Sequence, residues 1–340
     1  IRKVIIRNDQ IGDCILTLPF ILGTINNEKY YYISPLIEKI INKINIKNNW
    51  YPASHIDNKS NLFIANLATS DYKSFKNMLP KPKSKMMFTQ FSFNFLSENG
   101  FPLLFSPNYN SNKSQTKFVK NCFKRLGIKT DPILGIKSLN NHFAYKDGSN
   151  SKDSILLVLG LGVDKGRQLN QNLIQKIIEI SNQLSIQPIL LEEPKYELES
   201  KQIAEFHNIK LNKCSDIYEL FKLTKRTKYV IGFDCGPMHI ASLLTNTIII
   251  FSHTPYKHWG KHIWHKQLYR TYLKRDKEQI NIINQINKGS LKNNWIISLN
   301  NEGFPLYKKF CSNDNCSKLN NELIIDALKL ILSNNESKFC

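Results

Sequence analysis

The chain has 340 residues, 41% of them apolar and 22% charged, with a formal net charge of +20. That composition is ordinary for a globular protein and excludes collagen, coiled coil and a small disulfide-stapled scaffold. The length predicts about two domains, each able to bury its own core. No run reaches the ~18 apolar residues that a membrane span needs. The longest are residues 155–163, interrupted by two glycines, and 247–251. Arg2 and Lys3 are followed by Asp9 and Asp13, which does not make a signal peptide. Seven cysteines at irregular spacing predict reduced thiols in a cytoplasmic protein. The excess of Lys and Arg suits nucleic acid, an anionic membrane surface or a negatively charged small substrate, and composition does not choose among the three.

In chain order, residues 3–7 (KVIIR) form an apolar β-branched run, followed by a Gly-containing turn and a helical stretch, a βα opening. Further strands are expected at 30–33, 62–65 and 86–88. Residues 91–112, rich in Phe, Asn, Ser and Pro, read as irregular, and 116–126 has helical spacing in Phe118, Cys122 and Leu126. The polar stretch 146–154 (KDGSNSKDS) is the linker candidate. A second series then begins, with strands at 155–159, 188–191, 229–232 and 247–251. Helices are expected at 170–184, 196–207, 217–222 and 237–244. The alternation predicts a parallel doubly wound sheet. A last helix covers 321–332. The organisation is therefore α/β: a Rossmann-like lobe over 1–150, a second over 151–320, and a C-terminal helix and tail over 321–340 that packs back on the first lobe. Ligands in such sheets sit beyond the carboxyl ends of the strands, so the expected site is the cleft between the lobes.

Two segments carry chemistry. In residues 230–239 (VIGFDCGPMH) an apolar strand runs into Asp234, Cys235 and Gly236, and Pro237 opens a helix, where a missing N–H costs nothing. The free N–H groups and positive dipole end of that helix suit a diphosphate, with His239 adding a donor. A plain capped turn has equal weight on these residues alone. In residues 7–19 (RNDQIGDCILTLP), Asp13 follows Gly12 beyond the first strand, where its carboxylate suits either proton abstraction from a hydroxyl or simple helix capping.

Together, RNDQIGDCILTLP near the N-terminus and VIGFDCGPMHIASLL near residue 235 resemble glycosyltransferase family 9, the bacterial heptosyltransferases of lipopolysaccharide assembly. Residues 216–225 and 251–260 resemble the stretches that flank the second motif, whereas 50–145 match loosely. The resemblance implies a GT-B fold of two Rossmann-like lobes. It implies an inverting transfer of heptose from ADP-heptose to a lipopolysaccharide or lipooligosaccharide core, without an obligatory metal or other cofactor, and Asp13 as general base. Asp234, Cys235, Gly236, Pro237 and His239 would border the donor. Lys165 or Arg167 would neutralise the departing diphosphate, and one of Glu192, Glu193 and Glu197, with Glu193 as the candidate, would hold a ribose. Arg7, Gly12, Lys81 and Lys83 are acceptor-side candidates.

The implied partners are a nucleotide-sugar and an anionic lipid A–Kdo acceptor, met at the cytoplasmic face of the inner membrane by a peripheral, cytoplasmic protein. Cys235 departs from the family pattern, which has Thr there, and a thiol is a poor donor to phosphate. Cys311 and Cys316 read as a pair of free thiols, or a disulfide formed after purification, rather than as a zinc or iron site with Cys340. The alternatives are a related transferase using a UDP- or GDP-sugar or glycosylating a protein, and, more distantly, a basic nucleic-acid-binding protein. The last lacks any helix-turn-helix, aromatic RNA-binding or zinc-finger pattern.

Overall fold

The computed structural model describes residues 2–7, 11–44, 46, 48–57, 62–66, 85–89, 114–144, 153–161, 168–252, 256–275, 278–299 and 321–333. It divides into two compact units, Ile1–His142 and Phe143–Cys340. The division falls ahead of the expected linker, of which residues 146–152 lie outside the described residues.

The first unit runs β1 (Arg2–Ile6), α1 (Ile11–Leu22), β2 (Tyr30–Ile33), α2 (Pro35–Ile44), β3 (Trp50–Pro52), a 3₁₀ turn (Ala53–His55), β4 (Leu62–Asn66), β5 (Lys85–Thr89), α3 (Gln115–Arg125) and α4 (Pro132–His142). Its sheet is parallel throughout, in the order β3-β2-β1-β4-β5. The connection therefore reverses direction between β1 and β4, and in doubly wound sheets the ligand crevice lies at the carboxyl ends of that pair. Helix α2 forms because Pro35 starts it and Ile37, Ile40, Ile41 and Ile44 recur along one buried face. Helix α1 is different. Every residue from Cys14 to Leu22 is buried, so it is a core helix rather than an amphipathic one. It crosses α4 at two glycines. A Cβ on Gly135 would lie 2.0 Å from the Pro19 carbonyl oxygen, and one on Gly23 would lie 1.9 Å from that of Asp131.

The second unit runs β6 (Ser154–Val158), α5 (Gln171–Gln183), β7 (Gln187–Leu191), α6 (Glu197–Phe206), β8 (Lys210–Asn212), α7 (Ile217–Arg226), β9 (Tyr229–Phe233), α8 (Gly236–Leu244), β10 (Asn246–Phe251), α9 (Tyr256–Trp259), β11 (His265–Arg275), β12 (Glu278–Asn287), β13 (Asn293–Leu299) and α10 (Asn321–Ser333). The strand order is β11-β12-β13-β10-β9-β6-β7-β8. From β13 to β8 the strands are parallel, while β11 and β12 form an antiparallel extension beside β13. Strands β6 and β9 are buried at every residue, which is why they read as unbroken apolar runs. Here the reversal lies between β6 and β9.

Two features of the second unit were not specified by local sequence pattern. Helix α10 buries Leu323, Ile324, Ala327, Leu328 and Ile331 in a core shared with Ile177, Ile282 and Trp295, so it is part of the second unit's core. Residues 334–340 lie outside the described residues. The sequence pattern of residues 265–299 predicts no element, yet three strands lie there. Asn, which favours turns, and the polar Gln interrupt the apolar pattern of β12, but Asn281, Asn284, Gln285 and Asn287 are buried there.

Candidate active site

In the first unit the site is built on the end of β1. The Arg7 backbone N–H donates to the Ile33 carbonyl at 3.0 Å, extending the pairing with β2. Asp13 stands in the first turn of α1, just after Gly12, with its side chain 12% exposed. Arg7, expected as an acceptor contact, is wholly buried. Its Nη2 donates to Asp13 Oδ1 at 2.6 Å, and its Nε donates to the Asp13 backbone carbonyl at 3.2 Å. Charge-assisted bonds of this kind are shorter and stronger than neutral ones. The Gln115 amide, unremarked in the sequence, donates to the same Oδ1 at 3.4 Å. The Thr17 hydroxyl caps the Asp13 carbonyl at 3.0 Å, and the Cys14 thiol donates to the Arg7 carbonyl at 3.5 Å.

In the second unit, β9 delivers Asp234 and α8 delivers His239. Both are buried, with His239 Nε2 3.2 Å from Asp234 Oδ1. Cys235 is the N-cap of α8, in extended conformation and without a side-chain capping bond. Gly236 and Pro237 make the first turn. The helix thus presents backbone N–H groups and the positive end of its dipole beside the carboxyl end of β9. Gly232, one strand position before Phe233, lets β9 sit against its neighbours. A Cβ there would lie 2.9 Å from the Val158 carbonyl oxygen and 3.1 Å from Met238 Sδ.

The adjacent strand end is held by a carboxylate. Gly160, with φ +76°, donates its N–H to Glu193 Oε1 at 2.5 Å. The structure separates the three carboxylates that follow β7. Glu192 and Glu197 pair with Lys213 at 2.8 and 3.2 Å, while Glu193 alone of the three bonds to the strand end at the reversal point.

Around His239 lies a ring cluster that sequence reasoning missed. His239 is 6.3 Å from Trp259 and 6.0 Å from His262 between ring centroids, and His262 is 5.1 Å from Trp264 and 4.9 Å from His265. Burial pushes the His265 imidazole down to about 4, so it is neutral at physiological pH. The available signal was the density of His and Trp in 258–265 (HWGKHIWH). Lys81, Lys83, Lys165, Arg167, Cys311, Cys316 and Cys340 lie outside the described residues. Among the described residues, no group of three or more His, Cys, Asp or Glu is placed to hold a metal ion, and no helix is long and apolar enough to cross a membrane.

No family model matches the chain, and no curated protein matches it by sequence. Solved structures do match it. A glycosyl transferase family 9 protein from Veillonella parvula aligns over 98% of this chain and 97% of its own, with a TM-score of 0.65 and 11% identity. The chain has the fold of the family 9 glycosyltransferases. E. coli heptosyltransferase WaaC with ADP aligns over 77% of this chain and 91% of its own, with a TM-score of 0.58 and 14% identity. E. coli ADP-heptose lps heptosyltransferase II aligns over 99% and 100%, with a TM-score of 0.56 and 11% identity. The GT-B class expected from the two motifs is therefore the observed one. Within this family 9 fold, Asp13 and the Asp234–His239 pair each stand at the strand-order reversal of their own sheet.

Proposed function

We propose that the protein is an inverting glycosyltransferase that moves a heptose from ADP-heptose to the core of a lipopolysaccharide or lipooligosaccharide, on a lipid A–Kdo acceptor. The observation that carries this reading is chemical. The first sheet ends in an oriented carboxylate, Asp13, and the second ends in a helix N-terminus flanked by Asp234 and His239. The fold is shared with heptosyltransferases solved with ADP and with ADP-2-deoxy-2-fluoro heptose.

In the proposed reaction the donor diphosphate lies against the first turn of α8, where Gly236 allows close approach. Asp13 accepts the proton of an acceptor hydroxyl as its oxygen attacks the heptose C1. The C1–oxygen bond to the diphosphate breaks, C1 inverts, and ADP leaves. Lys165 or Arg167 neutralises the developing charge, so no metal is required. Glu193 orders the Gly160 turn and is the candidate partner for the ribose. Cys235 offers its backbone N–H where the related motif offers a Thr hydroxyl as well. The acceptor is engaged by the first unit, with Lys81 and Lys83 on its anionic groups, and the protein works at the cytoplasmic face of the inner membrane as a peripheral protein.

Calorimetry with ADP, UDP, GDP and CMP, without added metal, tests the reading. Selective binding of ADP is expected. Preference for UDP or GDP moves the function to another sugar, and no nucleotide binding at all returns the basic nucleic-acid-binding alternative to the front. A protein acceptor is distinguished only by a transfer assay with ADP-heptose.

A further inference from the structure

We infer that Arg7 and Gln115 are positioning residues that act through Asp13, and that Arg7 does not itself touch the acceptor. This rests on the proposal that Asp13 is the general base.

The guanidinium is a planar fork of donors, and here it holds two atoms of one residue: the side-chain Oδ1 at 2.6 Å and the backbone carbonyl at 3.2 Å. A single contact would leave the carboxylate free to rotate about its own bonds. Two contacts from a rigid plane set both the rotamer of Asp13 and the start of the helix that carries it. The fork is itself immobile. Arg7 is wholly buried, its N–H is paired to β2, and its carbonyl accepts the Cys14 thiol. The carboxylate is thereby referenced to the sheet rather than to a surface turn.

The charge matters as much as the geometry. Partial burial of a carboxylate disfavours its ionised form, and a general base must be ionised. A permanent positive charge 2.6 Å away opposes that effect. Cys122, whose thiol burial pushes up to about 12, is neutral at physiological pH and adds no competing charge.

Gln115 supplies the second constraint, from a residue 102 positions away at the start of α3. Its side chain is nearly inaccessible, its Nε2 meets the same Oδ1, and its Oε1 is buried with no hydrogen-bond partner among the described residues. A buried acceptor left without a donor is a stability cost, which an apolar side chain of the same length would avoid. Retaining that cost beside the carboxylate is what a functional, rather than a merely structural, amide does.

The test compares the wild type with Arg7→Lys, Arg7→Gln and Gln115→Met, using ADP-heptose and a Kdo–lipid A acceptor over a range of pH. Arg7→Lys keeps the charge but loses the fork, and should lower kcat by ~10-fold or more while the donor KM changes little. Arg7→Gln removes the charge and should move the acid limb of kcat/KM upward by about one unit or more. Gln115→Met should lower kcat while melting no lower than the wild type. An unmoved acid limb in Arg7→Gln, or a Gln115→Met variant that melts lower with unchanged kcat, overturns the inference. Should Arg7→Gln not fold, Arg7→Lys and Gln115→Met decide it.

A second readout needs no substrate. The ¹³C carboxyl resonance of Asp13, identified by its loss in Asp13→Asn, should titrate at higher pH once the guanidinium is replaced. If that shift occurs but the wild type transfers no heptose, the reaction assignment falls and the clamp stands. If transfer occurs but the Asp13 titration ignores Arg7, the clamp falls and the reaction stands.

Discussion

The Glu193 carboxylate, just past the end of β7, accepts the backbone N–H of Gly160, just past the end of the adjacent β6, at 2.5 Å. This bond holds a turn that only glycine adopts without strain, because φ at residue 160 is +76°. It sits where the strand order of the second sheet reverses, the place where a nucleotide is proposed to bind. Glu193→Ala should leave a backbone donor unpaired, cost about 1–3 kcal/mol of stability and weaken ADP binding. Glu192→Ala is the control. Its partner Lys213 is exposed, and such pairs contribute only about 0–1 kcal/mol. Parallel denaturant melts and ADP calorimetry read both effects; equal behaviour of the two variants would remove Glu193 from the site.

Asp13→Asn preserves shape and removes the proposed proton acceptor. Turnover should fall by ~10²–10⁴-fold, the range for loss of a general acid or base, while ADP affinity holds. Turnover near that of the wild type would show that another group takes the proton.

His265 makes stability depend on acid. Its unfolded-state value is 6.5 and its folded value about 4, so between those limits the unfolded chain binds the extra proton. Stability from this group is complete above pH 6.5 and is lost as pH falls through about 4. The size is about 3 kcal/mol at 1.36 kcal/mol per unit. His265→Phe should flatten the fall in melting temperature across that window relative to the wild type. A slope identical to that of the wild type would show that His265 does not drive it.

The crossing of α1 and α4 should be intolerant of any side chain at Gly135. A Cβ there meets the Pro19 carbonyl 2.0 Å away, and the obstacle is backbone rather than a flexible side chain. Gly135→Ala should destabilise by about 1–3 kcal/mol or more, the usual range for overpacking. Because α1 also carries Asp13, kcat should fall with it. Thermal melts and transfer assays on one preparation read both, and an unchanged melting temperature would contradict the close crossing.

The local geometry of the candidate site was legible because its signals are local. The β-branched run before Gly12 and Asp13, and the strand–Asp–Cys–Gly–Pro–helix of 230–239, announce their own turn chemistry. The Arg7–Asp13 contact was not legible, although only six residues separate the two, because nothing in their spacing says that Arg7 is buried. Gln115 gave no signal at all. Its meeting with Asp13 depends on α3 and α1 packing in one unit. The choice of Glu193 over Glu192 and Glu197 was likewise a matter of which carboxylate faces β6, and the competing charge was Lys213.

By itself, the sequence determined the alternation of strands and helices over residues 154–251, most of the parallel strands of the first sheet, and the two motifs that open α1 and α8. These follow from periodicity, β-branching and capping, which act over a few residues. Only the tertiary structure decided the strand orders that place Asp13 and Asp234 at reversal points, the antiparallel β11–β12 extension, and the home of α10. It also decided that Arg7 is buried against Asp13. Each of these depends on which surfaces bury one another and on where buried polar groups find partners, and those energies arise between residues far apart in the chain.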